Sequence, residues 1–444
     1  MMELLSRHLF QDLWDLKDHS IRMRCYRDLQ RSQWLPRQEQ EQTQLRALRA
    51  IVAYAKQNVP WYRETLQDSP ATIMSAQDLP ILDKEQIQAH GDQLISEEFD
   101  SAALIEARTG GSTGKPLRVL FDVQTQQRRN AAQERSNEWV GARRGVAQIA
   151  LWGNPIVDRS LKGRLRRHLL DRVSFVDTVG FNAESAQKFA EQWLHDKARV
   201  IFGHAHSIYL LARYLQQDSS HRIRPDAIIS TSMSLLNSER QMIETVFDCP
   251  VTDRYGCEEV GLIAAQCEQH DKFHINSEHV LVEIAAADGS PCAADTPGQI
   301  LVTDLVNRGM PLIRYRVGDT ATWSDAICEC GRESQLLANL GGRLADFLRT
   351  SDGSHVAGIS LIERTLTAFA GLSQMQVIQQ EIDQFDINFV KAGNFEPDSL
   401  AAIRREFETI FGPGINVEFH EKTNIPQQES GKYRFAICNV KDDL

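Results

Sequence analysis

The chain has 444 residues with a formal net charge of -11, and 42% of its residues are hydrophobic and 25% charged. This length and composition predict a soluble globular protein of two or three domains, and the negative charge argues against a general binder of nucleic acid or of anionic membranes. The sequence shows no apolar run of membrane-span length, no apolar signal-peptide core and only eight scattered cysteines, so we expect a cytoplasmic protein.

The first 95 residues are predicted to be mostly helical. Apolar residues at positions 45, 48, 51, 52 and 55 recur at three- and four-residue steps, which is the stripe of an amphipathic helix. Pro60 is expected to stop that helix. A long polar stretch from Gln124 to Glu138 has the composition of another helix.

Strands and helices are then predicted to alternate. Apolar runs at 149–152, 200–202 and 226–230 indicate buried strands, and 185–194 and 207–215 indicate helices. Asn237 or Ser238 is expected to cap the next helix, with Gln241 in capping-box position behind Ser238. This alternation favours an α/β sheet that binds ligands at its strand ends.

The pattern becomes β-rich from about residue 272 to 330. Runs at 280–284 and 299–303, with a turn at 288–291 between them, predict an antiparallel or barrel-like subdomain. A smaller α+β unit follows. The predicted fold is therefore α/β, with a large N-terminal domain over 1–343 and a small C-terminal domain over 344–444, and with a boundary near 344–352.

A glycine-rich stretch has the composition of a phosphate-holding loop. It consists of Thr109, Gly110, Gly111, Ser112, Thr113, Gly114 and Lys115, followed by Pro116. Glycines allow inward-pointing backbone amides, and the lysine and hydroxyls add donors for an anion. The spacing is not that of a Walker A loop, because Thr109 and Pro116 occupy the positions of its first glycine and its final hydroxyl. The alternative is a surface hairpin with incidental hydroxyls.

Four further motifs follow the loop. They are Tyr255-Gly256-Cys257-Glu258-Glu259, Arg314-Tyr315-Arg316-Val317-Gly318-Asp319, Gly342-Arg343 and Ser430-Gly431-Lys432. With the loop, in this order, they resemble the core motifs of the adenylate-forming superfamily, and most closely its phenylacetate–CoA ligase branch with the capsular-polysaccharide relatives. The resemblance covers nearly the whole chain. It implies an N-terminal adenylation domain and a mobile C-terminal domain that rotates during the reaction.

The resemblance implies a role for each motif residue. Lys432, Glu259 and Lys115 are the expected catalytic residues: Lys432 reaches the α-phosphate and the carboxylate, and Glu259, rather than the neighbouring Glu258, ligates Mg²⁺. The ATP site would also include the loop residues 109–114, Ser232, Tyr255, Gly256, Asp319 on the ribose hydroxyls and Arg343 on ribose and phosphate. Arg316 is expected to support the same corner. The structural alternatives are a core aromatic for Tyr255, a turn aspartate for Asp319 and an ion pair for Arg343.

Two positions depart from the family pattern. Leu344-Ala345-Asp346 lacks the first acid of the usual hinge, and Met233 stands where an acid is expected near the adenine. The acyl pocket is expected in the alternating segment, where Trp152, Phe202 and His204 are candidates by position, although each is equally compatible with plain core.

Soft metal ligands form two groups about sixty residues apart. Cys267, His274, Cys328 and Cys330 are the proposed ligands of a closed, structural Zn²⁺ site of the kind that some similar proteins carry, and His270 is the substitute for His274. The alternative is buried reduced cysteines beside a satisfied histidine.

The expected function is that of an AMP-forming carboxylate ligase with ATP, Mg²⁺ and structural Zn²⁺. Its partners would be a small-molecule carboxylic acid and an acceptor thiol, by default coenzyme A, with a homodimer as a possibility. Two alternatives stay open: transfer to an amine or hydroxyl, and a catalytically silent nucleotide-binding protein of a polysaccharide pathway.

Overall fold

The computed structural model describes most of the chain. The described residues are 2–67, 69–70, 72–109, 117–152, 160–178, 181–217, 222–341, 344–345, 347–358, 361–362, 365, 372–391, 395–396, 398–423, 425 and 434–440. The loop residues 110–116 and the expected site residues Arg343, Asp346 and Lys432 lie outside them.

Twelve helices have described bounds. They are α1 Met2–Leu5, α2 Gln11–Lys17, α3 Arg22–Ser32, α4 Arg37–Asn58, α5 Pro60–Thr65, α6 Lys84–His90, α7 Val123–Trp139, α8 Leu161–Arg166, α9 Ala183–Asp196, α10 Ala205–Gln217, α11 Asn237–Phe247 and α12 Asp398–Phe411. Two π-helical segments, Ser6–Phe10 and Arg167–Asp171, run on from α1 and α8, and short 3₁₀ turns occupy Ala76–Asp78, Gly91–Leu94 and Ser101–Ala103.

The strands follow in chain order. They are β1 Ile105–Thr109, β2 Leu117–Phe121, β3 Gln148–Trp152, β4 Val173–Asp177, β5 Val200–His204, β6 Ala227–Thr231, β7 Val251–Cys257, β8 Gly261–Gln266, β9 Phe273–Ile275, β10 Val280–Ala285, β11 Gly298–Asp304, β12 Tyr315–Ser324, β13 Leu336–Gly341, β14 Leu344–Ala345, β15 Phe347–Arg349, β16 His355–Ala357, β17 Leu372–Glu381, β18 Gln384–Lys391, β19 Asn416–Glu421 and β20 Arg434–Cys438.

One mixed sheet of 11 strands organises the larger part of the chain. Its order is β10-β11-β12-β13-β9-β8-β7-β6-β5-β3-β4. The pairs from β7 to β4 are parallel, as expected for strands that alternate with helices. The pairs from β10 to β7 are antiparallel. The predicted β-rich region is therefore a continuation of the α/β sheet.

The helical N-terminal region packs on the sheet as its apolar stripe predicts. Leu48, Ile51, Val52 and Ala55 of α4 are at most 3% exposed and share one core cluster with the antiparallel strands. The helix ends at Asn58, just before Pro60, which is the first residue of α5. Proline is tolerated there because the N–H groups in the first turn of a helix have no hydrogen-bond partner within the helix, so the missing N–H costs no bond.

The predicted cap of α11 is wrong. The helix begins at Asn237, so the N-cap residue is Leu236, and neither Asn237 nor Ser238 caps it. The Glu239 carboxylate accepts a hydrogen bond from the Leu236 N–H at 3.1 Å. A carboxylate at the third helical position can satisfy a free amide without a hydroxyl in the cap, and Gln241 has no place in this arrangement.

The C-terminal region forms a second sheet of five strands in the order β14-β20-β17-β18-β19. Helix α12 buries Ile403, Phe407 and Phe411 in the same apolar cluster as these strands. Ala205 and Met233 belong to that cluster too, so the second sheet packs against the first region at the ends of β5 and β6. Among the described residues, no helix is both long and apolar enough to cross a bilayer.

Candidate functional site

Two tyrosines connect the motifs that lie far apart in the sequence. The Tyr255 hydroxyl donates to Asp319 Oδ2 at 3.0 Å, and the Tyr315 hydroxyl donates to Glu259 Oε1 at 3.2 Å. Tyr255 lies on β7, whereas Tyr315 and Asp319 lie on β12. In a flat sheet the four strand spacings between β7 and β12 would separate them by about 19 Å. The antiparallel half must therefore curl, and the curl brings the two motifs together.

Glu259, and not Glu258, lies inside this site. Glu259 is 5% exposed, while Glu258 is exposed on the surface. The Glu259 carboxylate accepts a hydrogen bond from the Tyr315 hydroxyl. Burial first, and then the negative charge of Glu259, raise the pKa of the neighbouring Cys257 thiol. The backbone carbonyl of Glu259 accepts a hydrogen bond from Arg129 Nη2 at 2.8 Å. The turn after β7 thus holds an inward-facing carboxylate in one orientation.

Arg129 is a positioning residue that the sequence did not reveal. It lies on α7 and is 6% exposed, and its Nη2 also forms an ion pair with Asp304 at 2.8 Å. Its guanidinium lies 4.7 Å from the ring centre of Phe121. The chain passes beside it at Gly261, whose φ is +79°, and a Cβ there would lie 3.0 Å from Arg129 Cδ. One buried guanidinium therefore ties α7 to β11 and to the turn that carries Glu259.

The ends of the glycine-rich loop are fixed although the loop itself is outside the described residues. Thr109 is the last residue of β1 and pairs with Leu117, the first residue of β2. The strands β1 and β2 are therefore antiparallel neighbours, and the phosphate-binding role of residues 110–116 stays a prediction.

Ser232 and Gly256 have backbone features of a constrained site. Ser232 follows β6 with φ of +67° and is exposed, and a non-glycine residue in the left-handed region occurs where surrounding structure holds it. Gly256 lies within β7, where a Cβ would lie 2.5 Å from the Gly261 carbonyl oxygen. The close strand approach alone requires glycine at this position.

The structure gives Arg316 and Met233 contacts that the sequence did not indicate. Arg316 was expected at the ribose corner, but its Nε donates to Asp83 Oδ1 at 2.7 Å and its Nη1 contacts Gln299. Arg316 instead fixes the segment before α6. That segment is also hydrogen-bonded to β12, because the Arg316 N–H donates to the Leu82 carbonyl at 3.0 Å. Met233, which stands where an acid was expected, is 6% exposed and belongs to the apolar cluster of the C-terminal region.

The three candidate pocket residues lie together at the carboxyl ends of β3 and β5. The rings of Trp152 and His204 are 4.1 Å apart, and those of Trp152 and Phe202 are 5.8 Å apart and stacked. His204 is fully buried, and within the described structure neither ring nitrogen has a hydrogen-bond partner. Burial lowers the pKa of His204 to about 4, so the imidazole is neutral at pH 7. The group offers an aromatic wall with one polar ring, and whether it contacts a substrate stays a prediction.

A polar cavity of about 480 Å³ lies away from these residues. Its walls include Gln148, Val173 and Val200, which are the first residues of β3, β4 and β5. It therefore opens at the amino ends of the parallel strands. Ligands of open α/β sheets bind at the carboxyl ends, so this cavity is not the candidate site.

The four proposed zinc ligands form a cluster. The ligand atoms of Cys267, His274, Cys328 and Cys330 all lie within 4.8 Å of one another. The Cys267 and Cys328 sulfurs are 3.6 Å apart, and Cys330 Sγ is 3.4 Å from His274 Nε2. A tetrahedral ion with zinc–sulfur bonds of about 2.3 Å needs sulfurs about 3.8 Å apart. The donor set and its spacing therefore fit Zn²⁺.

The surroundings orient these ligands. His274 Nδ1 lies 2.8 Å from Ser334 Oγ, which leaves Nε2 directed at the sulfurs. The backbone amides of Gln269 and Arg332 each lie 3.4 Å from a ligand sulfur, of Cys267 and Cys330 respectively. His270 is not part of the cluster, because its Nδ1 lies 3.1 Å from Thr252 Oγ1. The structure therefore favours His274 over its substitute.

The chain is similar in sequence to known proteins. Residues 348–439 match the CapK C-terminal domain family. Protein CapK of Staphylococcus aureus is 23% identical over an alignment of 398 residues that covers 87% of this chain and 87% of the relative. Phenylacetate-coenzyme A ligase of Thermus thermophilus is 24% identical over 331 residues, covering 71% of this chain and 72% of the relative.

The fold has counterparts among solved structures. A 2-hydroxyisobutyryl-CoA ligase, in complex with 2-HIB-AMP and CoA in the thioesterification state, superposes with a TM-score of 0.62 and 17% identity, over 92% of this chain and 91% of the ligase. The same ligase in the postadenylation state gives a TM-score of 0.60 and 16% identity, over 91% and 90%. At these identities the similarity establishes the fold, and the predicted α/β fold class is confirmed.

Proposed function

We propose that this chain, which belongs to the adenylate-forming superfamily in the branch of CapK and phenylacetate-coenzyme A ligase, is an AMP-forming ligase that activates a carboxylic acid with ATP. The observation that carries the proposal is the pair of hydrogen bonds Tyr255–Asp319 and Tyr315–Glu259. They bring together two motifs that are about sixty residues apart in the chain, and an adenylation site needs both motifs at one nucleotide.

The described residues supply the nucleotide-binding half of this reaction. Asp319, oriented by the Tyr255 hydroxyl at 3.0 Å, would accept hydrogen bonds from the two ribose hydroxyls. Glu259, oriented by Tyr315 at 3.2 Å, would bind a Mg²⁺ ion that neutralises the leaving pyrophosphate. Ser232 and Gly256 would line the adenine. The catalysis that these residues provide is positioning and charge neutralisation at the triphosphate.

The remaining catalytic groups are proposed from the sequence alone. Lys115 in the glycine-rich loop would hold the triphosphate, Arg343 would contact ribose and phosphate, and Lys432 would approach the α-phosphate and the carboxylate; all three lie outside the described residues. A carboxylate oxygen of the acid would attack the α-phosphorus and pyrophosphate would leave. The acid's acyl carbon would then be attacked by the acceptor, with AMP as the leaving group.

We propose a boundary between 343 and 344 and a C-terminal unit that rotates between the two steps. The observation that supports it is the pairing of β14, Leu344–Ala345, with β20 in the second sheet. The first residues after the boundary therefore already belong to the C-terminal unit. Asn182 Nδ2 donates to Ser354 Oγ at 3.1 Å between the two parts, and Ala205 and Met233 also pack into the C-terminal cluster, so a rotation would break both the polar and the apolar contact.

The zinc site is proposed as structural. Cys267, His274, Cys328 and Cys330 provide four ligands, so a bound Zn²⁺ would have no open position for substrate. The ion would join the turn after β8 and strand β9 to the loop between β12 and β13. It would thereby stabilise the curled half of the sheet, which carries Tyr255, Tyr315 and Asp319.

Coenzyme A is the proposed acceptor, because a relative of this chain is named a phenylacetate-coenzyme A ligase. The test is carboxylate-dependent exchange of labelled pyrophosphate into ATP, with Mg²⁺, over a panel of aryl, fatty, hydroxy and amino acids. Exchange with one class of acid is expected. Adding coenzyme A in one arm and amines or alcohols in another is expected to increase AMP release only with coenzyme A.

The outcomes separate the alternatives. If exchange occurs but AMP release increases only with an amine or alcohol, the chain adenylates a carboxylic acid and its acceptor is not a thiol. Absence of exchange with every acid, in protein that binds ATP, would favour the catalytically silent alternative. A matched control is Asp83→Asn, which alters a carboxylate that faces Arg316 rather than the tyrosine-linked site and is expected to leave exchange unchanged.

A further inference from the structure

We propose that the chain docks peripherally on anionic lipid surfaces through a basic, leucine-rich face on its first helical segment and on α8. The face, called here the leucine patch, consists of Leu9, Leu13, Leu16, Leu161 and Leu165. These side chains are between 43% and 74% exposed. Soluble proteins rarely gather large apolar side chains in one exposed group unless the group has a binding role.

The leucines lie on two helical segments that run side by side. Leu9, Leu13 and Leu16 are spaced by four and three residues, as are positions on one helix face, and Leu161 and Leu165 are spaced by four. The segments contact each other: Gln11 Nε2 donates to the Leu170 carbonyl at 2.8 Å and Ser6 Oγ to the same carbonyl at 3.2 Å.

Each segment buries its opposite side. Ser6, Gln11 and Asp15 of the first segment are buried, and so are Gly163 and Leu170 of the second. The leucines of both segments therefore face outward, and the hydrogen bonds of Ser6 and Gln11 to the Leu170 carbonyl hold the two segments next to each other.

Cations surround the leucine patch although the chain as a whole is acidic. Residues 160–172 contain five basic residues and one acid, Asp171. Lys162 and Arg164 are exposed, and neither has an ion-pair partner among the described residues. Lys17 and Arg166 lie 4.8 Å and 5.6 Å from the ring of Trp14.

The acids nearby do not neutralise the patch. Asp171 faces Arg166 at 3.4 Å, and Asp12 faces Arg144 at 3.7 Å. Asp18 is the remaining exposed acid next to the first segment. Lys162 and Arg164, beside Leu161 and Leu165, therefore keep their charge available.

This combination favours a lipid surface over the other possible occupants. Leucines flanked by lysine and arginine, with a tryptophan beside cations, are typical of helices that lie in the interface of an anionic bilayer. A second copy docked two-fold on the same patch would place Lys162 and Arg164 close to their own copies, and this like-charge contact is unfavourable. The whole-chain charge of -11 opposes membrane binding only weakly, because acids that lie farther from the bilayer than the Debye length, about 10 Å at 0.1 M salt, are largely screened.

The test is co-sedimentation of the full-length protein with vesicles of phosphatidylcholine alone or mixed with phosphatidylglycerol. Binding is expected only to the anionic vesicles and is expected to weaken with added salt. Lys162→Glu with Arg164→Glu should weaken it by about 30-fold or more, the effect of about two basic residues near a charged surface. Leu161→Ser with Leu165→Ser should weaken it by about tenfold or more.

Matched variants change the same residue types elsewhere. Leu194→Ser with Ile382→Ser alters two exposed apolar side chains, and Arg405→Glu with Lys422→Glu alters two exposed cations. Both pairs are expected to bind vesicles like the wild type. Binding that is equal in patch and control variants, or absent from anionic vesicles, would overturn the proposal. A wild-type dimer that the leucine variants convert to monomers, without vesicle binding, would assign the patch to a second copy instead.

Discussion

Loss of the proposed zinc is expected to destabilise the curled half of the sheet without changing its chemistry. The perturbation is Cys330→Ser, which removes one of four clustered ligands. Cys267 and Cys328 are 61 residues apart, so a bound ion closes a long loop in the unfolded chain. By the chain-entropy relation for cross-links, closing a loop of that length contributes about 4 kcal/mol. At about 2–4 °C per kcal/mol for a large domain, the melting temperature should fall by roughly 8–16 °C.

The assay has two readouts that do not depend on activity. Elemental analysis of the purified wild type should find zinc close to one equivalent per chain, and thermal unfolding should show the lower melting temperature for the variant and for chelator-treated wild type. Cys292→Ser is the matched control, because Cys292 is a free, half-buried cysteine outside the cluster. Zinc-free wild-type protein, with the same melting temperature for both cysteine variants, would refute the reasoning.

Two further variants test single buried groups. Arg129→Lys should lower the free energy of unfolding by about 2–4 kcal/mol and slow pyrophosphate exchange, because a lysine cannot bind both the Asp304 carboxylate and the Glu259 carbonyl. Equal losses of stability and exchange in the neighbouring Arg128→Lys would argue against a specific role of Arg129. Burial lowers the pKa of His204 from 6.5 to about 4. Between these pH values the histidine is therefore protonated in the unfolded chain and neutral in the folded chain. The free energy of unfolding of the wild type should therefore fall between pH 6.5 and 4, by up to about 3 kcal/mol from this group. His204→Phe should lose less stability over this range than the wild type or the exposed-site control His195→Phe. Identical stability profiles in acid for all three proteins would contradict the buried, neutral imidazole.

The elements with a clear period were predictable from the sequence. The stripe in α4 predicted its helix, and the apolar runs predicted β3, β5 and β6, because burial on one or both faces leaves a recognisable pattern. The helix α7 was predicted from its composition instead. The cap of α11 was not predictable in the same way. Either a hydroxyl in the cap or a carboxylate one turn later can satisfy the free amides, and the sequence around residue 237 offers both.

The composition of the candidate site was predictable, but its connections were not. Local sequence does not show that the sheet curls enough to bring Tyr255 to Asp319, since β13, β9 and β8 lie between their strands. Arg129 was hidden for a related reason. In a helix as polar as α7, one buried arginine has the same local pattern as its exposed neighbours, and only the packed structure separates them.

The choice between His270 and His274 also needed the backbone. His274 lies on β9 beside the loop that carries Cys328 and Cys330, whereas His270 lies in the preceding turn with φ of +53°. Spacing allows either histidine, and the sequence predicted His274 with His270 as its substitute. Strand pairing of β9 with β13 selects His274, because it places Leu336 opposite that histidine and the cysteine loop next to it.

The most direct test of the central claim is pyrophosphate exchange into ATP with the acid that the panel identifies, compared between the wild type and Lys432→Ala. The proposal predicts carboxylate-dependent exchange in the wild type and its loss in the variant, with the melting temperature unchanged. Exchange in Lys432→Ala at the wild-type rate would contradict the proposed adenylation mechanism.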